Sequence, residues 1–150
     1  MEAFSGAWRL GHWSAVWAVE FEGPADEFLY QDPADPLARP EDDGEVRGST
    51  LTIGLDGSFS QAGECDRPVL TYDEHGIQVS GMAGFGGVVR EDNGRGYLLT
   101  AATAGRLRLG DGDTRICDSA RVVGGRLVRT ICVITDECYG DRVVLVYDRS

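Results

Sequence analysis

From position 48 onward the sequence predicts an all-β protein built as an antiparallel up-and-down barrel of about eight to ten strands. Two observations carry the prediction. Turn signals recur at regular intervals: Leu55-Asp56-Gly57, Asp73-Glu74-His75-Gly76, Glu91-Asp92-Asn93-Gly94, Gly110-Asp111-Gly112-Asp113, Gly124-Gly125 and the stretch from Glu137 to Asp141. Each joins two β-prone runs, the pattern of hairpins added one after another. A meander this long must protect its two edges, and closure removes them.

Residues 4–22 read as a long aromatic strand. Trp8 and Leu10 share one face, while Trp13, Ala15, Trp17, Val19 and Phe21 share the opposite parity, with Gly11 between the sets. A bulge at Gly11 would bring both sets onto one face of a curved strand. An amphipathic helix is the competitor, but Trp, Val and Phe at period two favour the strand.

Residues 23–47 form a loop. Between Glu22 and Glu45 lie nine acidic residues, a single Arg and four of the five prolines, which rules out a central strand. Its apolar island, Phe28-Leu29-Tyr30, either pins the loop to the barrel wall or serves a flap over the barrel mouth. The domain reading is therefore one barrel over residues 1–150 with an acidic, Pro-rich lid loop at about 23–47.

The remaining strands are expected at 48–54, 58–63, 68–72, 76–82, 85–91, 95–103, 105–109, 114–123, 126–135 and 142–148. Arg106-Leu107-Arg108-Leu109 alternates in and out. Val143 to Tyr147 is apolar on both parities, as a strand covered on both faces where it meets the first strand or a second subunit, so a homodimer is one expected partner. Gly81, Gly84, Gly86 and Gly87 permit sharp bending or close approach of a ligand or another strand.

Composition narrows function. The net charge of −11 repels phosphate backbones and anionic lipid, so neither nucleic acid nor membrane is an expected partner. No apolar run is long enough to span a bilayer, and the start lacks the layout of a secretory signal, so cytoplasmic residence is expected. All 14 basic residues are Arg, which excludes a lysine Schiff base and fits a GC-rich bacterial source. Cys65, Cys117, Cys132 and Cys138 lack metal-ligand spacing. Taking Gly124-Gly125 as a two-residue turn sets Cys117 directly opposite Cys132, as reduced thiols or, as the lesser alternative, a disulfide. With only His12 and His75, and no EF-hand spacing around Asp111-Gly112-Asp113 or Glu41-Asp42-Asp43, no metal is expected. No cofactor is expected either: Gly84-Phe85-Gly86-Gly87 lacks the lysine and helix of a phosphate loop. No Gly-x-Ser-x-Gly elbow occurs.

Gly6-Ala7-Trp8 ahead of a meander that ends in Arg149 resembles the lipocalin or calycin-like barrels. The resemblance implies that Trp8 plugs the closed end and that Arg149 packs across its ring. In size and type the chain also resembles small intracellular barrels that cyclise polyketides, including spirotetronate cyclases, although no catalytic motif aligns.

Three functional classes stay open. The preferred one is a cofactor-independent cyclase or isomerase that folds a hydrophobic, polyketide-like metabolite inside the barrel, where orientation does much of the work. The second is a non-catalytic binder of a small hydrophobic molecule. The third is an interaction barrel with a filled core. For the first, His12, Tyr97 and Tyr30 are the candidate catalytic donors toward a substrate carbonyl. Trp13, Trp17, Phe21, Phe28 and Leu99 are the candidate substrate-binding residues, with simple core packing as the alternative role for the aromatics.

Overall fold

The computed structural model describes residues 1–35, 37, 48–63, 69–73, 76–80, 85–100, 114–136 and 138–150. The expected strand at 105–109, the end of the strand at 95–103, Gly81, Gly84, His75, Cys65, the two acidic triplets and most of 36–47 lie outside them.

Eight strands close into an antiparallel barrel: β1 (Gly6–Glu20), β2 (Thr50–Ile53), β3 (Ser58–Ala62), β6 (Phe85–Asp92), β7 (Arg95–Thr100), β8 (Arg115–Val123), β9 (Arg126–Asp136) and β10 (Tyr139–Arg149). Each pairs with the next in this order, and β10 returns to β1. The remaining pair, β4 (Val69–Asp73) and β5 (Gly76–Ser80), forms a separate two-stranded hairpin inserted between β3 and β6. The expected strands at 68–72 and 76–82 therefore exist but do not join the barrel wall. Close packing explains how β3 and β7 flank β6: a Cβ on Gly87 would fall 2.0 Å from the Leu99 carbonyl oxygen, and one on Gly86 2.6 Å from that of Phe59.

The long first strand is bent as Gly11 suggested. Its register against β10 slips between Leu10 and His12, so Trp8, Leu10, Trp13 and Ala15 all pack with the interior cluster. A second slip lies between Val16 and Val19, where Ala18 takes a φ of 51° and its N–H donates to Asp141 Oδ1 at 2.7 Å. This bulge turns the strand's end the other way. Val19 and Phe21 leave the inner face expected of them and join an outer cluster, while Trp17, on the bulge itself, is 50% exposed.

That outer cluster sits under a one-turn helix, α1 (Ala25–Leu29), within the acidic loop. Phe28 and Leu29 bury themselves against Cys117 of β8 and Cys132 of β9. Gly140 makes room, since a Cβ there would meet the Phe28 ring at 2.5 Å. The loop's carboxylates and amide bind arginines on the wall: Arg95 to Asp32 at 2.5 Å, Arg115 to Asp26 at 3.2 Å, and Arg142 to Gln31 at 3.3 Å. The described half of the loop is thus pinned to the side of the barrel.

Candidate functional site

Both ends of the barrel are filled by side chains. At the end where β1 starts, Trp8 is fully buried, donates its indole N–H to the Phe4 carbonyl at 2.7 Å, and carries the Arg149 guanidinium 4.0 Å above its ring. This is the contact that the Gly-Ala-Trp and Arg149 pairing implied.

The opposite end is covered by the β4–β5 hairpin. It leans from the β3–β6 side, where the Tyr72 ring meets Phe85 edge-on at 5.1 Å, toward β9 and β10, where a Cβ on Gly76 would lie 4.0 Å from Asp141. Leu70 and Tyr72 enter the interior cluster. Beneath them is a buried polar group that pattern reading missed. Arg129 of β9, 0% exposed, forks onto Asp118 of β8 through Nε at 2.8 Å and Nη2 at 2.6 Å. Its Nη1 donates to Gln61 Oε1 at 2.5 Å and to the Tyr147 hydroxyl at 3.4 Å. The Tyr72 hydroxyl donates to Asp118 Oδ2 at 2.7 Å and lies 3.3 Å from the Leu98 carbonyl. Gln61 Nε2 donates to the Leu70 carbonyl at 2.5 Å.

The electrostatics follow from burial. Burial pushes the Tyr72 phenol well up, with the Asp118 charge adding to it, and burial also raises Tyr147. Burial disfavours the Arg129 cation, but Asp118 and the two tyrosines outweigh it and hold the guanidinium above its ordinary range. The cluster is a neutral ion pair between two tyrosines that keep their protons. With the hairpin seated, Trp8, Leu51, Leu127, Ile131, Val133 and Val143 are all 0% exposed, while Trp13, Ala15, Ile77 and Phe85 are partly buried against them.

Of the residues singled out from sequence, Trp13 faces the interior and the others lie outside it. Trp13 is on the inner face, partly buried, and its buried indole N–H meets no acceptor. His12 is buried on the outer side of β1 opposite Val146. Phe21, Phe28, Tyr30 and Tyr97 come together, but in the outer cluster under α1, where Phe21 stacks on Phe28 at 4.6 Å and Arg142 covers Phe28 at 4.2 Å. Burial raises the Tyr97 phenol. Leu99 shares the outward parity of Tyr97 on β7. Beside this cluster, Glu20, Phe21, Glu22, Glu27, Phe28 and Gln31 line a surface groove of ≈ 510 Å³. Cys117 and Cys132 face each other across β8 and β9 as free thiols, pushed up by burial to about 12 and about 11. Among the described residues no group of His, Cys, Asp and Glu could hold a metal ion, and no helix is long and apolar enough to cross a membrane.

One signal in the sequence could have found the interior cluster. The Gly124-Gly125 turn that opposes Cys117 and Cys132 also opposes Ala120 and Arg129. Arg129 shares parity with Leu127, Ile131 and Val133, and Asp118 with Ile116 and Ala120, so opposite charges stand diagonally on one apolar face. No protein-family model matches the chain, and no curated protein is similar to it.

Proposed function

We propose that this chain is a cytoplasmic, calycin-like barrel that takes a hydrophobic, polyketide-like metabolite into its interior and promotes ring closure or isomerisation without a cofactor. The supporting observation is the Arg129–Asp118 cluster beneath a hairpin that belongs to no barrel strand. A barrel core has no need of such a pair, because apolar residues of similar volume in its place are often as stable or more so. Strand pairing in the barrel does not depend on the hairpin, so lifting it would open a cup with the polar cluster at its floor. The occupant must then replace the burial of Leu70 and Tyr72, about 1.5–3 kcal/mol for the leucine alone, which asks for a largely apolar molecule.

Catalysis in such a cup is by holding. Tyr147 retains its proton and the guanidinium stays charged near neutral pH, so the cluster orients and polarises a carbonyl rather than exchanging protons with it. A non-catalytic binder is the second reading, favoured because Arg129 already occupies both oxygens of Asp118. The test is titration of the full chain with a polyene and fatty-acid panel, following tryptophan fluorescence and hydrogen exchange of residues 69–73. Binding that accelerates exchange in β4 supports the reading. No binding, with β4 exchanging only on global unfolding, overturns it. Turnover of a linear polyene separates the cyclase from the binder.

A further inference from the structure

We infer that the seated hairpin is a built-in stand-in for the ligand, and that the ligand's polar end is an uncharged hydroxyl paired with a carbonyl oxygen, not a carboxylate. The inference rests on the interior reading above and specifies the chemistry of what binds there.

Among the described residues, two hydrogen bonds to the buried cluster, one from a side chain and one to a main-chain carbonyl, define the hairpin's polar footprint. The Tyr72 hydroxyl gives a hydrogen to Asp118 Oδ2, and the Leu70 carbonyl receives one from Gln61 Nε2. Lifting the hairpin would strip the cup of one donor and one acceptor at residues that are 4% and 3% exposed. A group buried at that depth demands a replacement partner. The polarity of both positions is fixed from behind by Arg129, which has donors only. It takes Gln61 Oε1, so the Gln61 amide cannot flip and must present N–H to the cup. It also neutralises Asp118, whose remaining capacity on Oδ2 is for a hydrogen-bond donor. A carboxylate would place acceptor against acceptor at Asp118 and bring an unpaired charge into the interior. A hydroxyl with a carbonyl satisfies both groups. The body between them sits where the Tyr72 ring now meets the edge of Phe85, at 72° between planes, which suits an aryl or polyene framework.

The test uses 4-hydroxybenzophenone, its methyl ether 4-methoxybenzophenone, and 4-benzoylbenzoic acid, titrated calorimetrically into the full chain at mildly acidic pH where the phenol is neutral. The expected result is binding of the hydroxy compound about tenfold tighter than the ether or the acid, one buried hydrogen bond's worth. Tyr72→Ala, which removes the internal competitor, is expected to tighten the hydroxy compound and keep its preference over the ether. The paired variant Asp118→Leu with Arg129→Met, checked for a cooperative unfolding transition, is expected to bind hydroxy compound and ether alike. Equal binding of hydroxy compound and ether by the native chain, or preference for the acid, overturns the inference and leaves the interior reading standing. Failure of these probes and of the polyene panel alike overturns the interior reading itself.

Discussion

The two ends of this barrel are stoppered by opposite chemistries. At the end where β1 begins, the plug is local and apolar: Phe4 and Trp8, four residues apart, fill the opening, and Arg149 lies across the indole from outside. At the other end the plug is remote and polar, with Tyr72 reaching across 46 residues of sequence to Asp118 and Gln61 across 68 to Arg129. An apolar plug gains stability from every contact and has no reason to move. A polar plug contributes little net stability against water, yet its loss is costly unless another molecule takes over its hydrogen bonds. On the function proposed above, only the second end would exchange one occupant for another.

The contrast can be broken most sharply at Arg129. Arg129→Leu alone strands a buried carboxylate and is expected to cost about 3–5 kcal/mol in urea unfolding, whereas pairing it with Asp118→Leu should recover most of that loss. If the single and paired variants are equally unstable, the ion pair is a stabilising keystone and the contrast fails. Trp8→Ala should also cost about 3–5 kcal/mol, with no partner substitution able to restore it, because what is lost is volume and apolar contact. Tyr72→Phe removes one hydroxyl and is expected to lower stability by about 1–2 kcal/mol. The same variant carries the pH signature of the polar end. The Tyr72 and Tyr147 phenols are raised in the fold, so above their ordinary value near 10 the unfolded chain releases protons that the fold retains. Stability should fall as pH rises past about 10, and Tyr72→Phe should flatten that slope relative to the native chain. An unchanged slope would show that Tyr72 is not shielded. The smallest effect is expected from Arg149→Ala, about 0.5–1 kcal/mol for its stacking on Trp8, measured by the same unfolding assay.

The same contrast explains what could be read in advance. Turn spacing carried the meander, Gly11 marked the first bulge, Gly124-Gly125 set Cys117 against Cys132, and Gly-Ala-Trp with Arg149 pointed to the closed end; these signals are local or follow from one turn. The second bulge was invisible because Ala18 adopts its positive φ without a glycine to announce it, and so Trp17, Val19 and Phe21 were carried onto the wrong face. The hairpin was legible as two strands, but whether strands join a wall or cover it depends on register with distant partners. The polar cluster was hidden by the rule that charged side chains face water. Arg129 and Asp118 break it together, which neither does legibly alone. The sequence leaves the acidic loop as either pin or flap. Its described half is a pin, held by Arg95, Arg115 and Arg142, while the covering element is β4–β5.

The bulge at Gly11 bears on how this strand tolerates length change. Leu10 lies opposite Tyr147 and His12 opposite Val146, neighbours on β10, so Gly11 is the one residue there with no place in the ladder. Removing it would let His12 follow Leu10 directly and leave every later pairing, and every later inward or outward side chain, where it is now; curvature would suffer, but not register. Removing Ser14 instead would swap the faces of every residue between it and the next bulge. In β1, the amino acid that looks most deliberate to a reader of glycines is thus the one the strand can most readily lose.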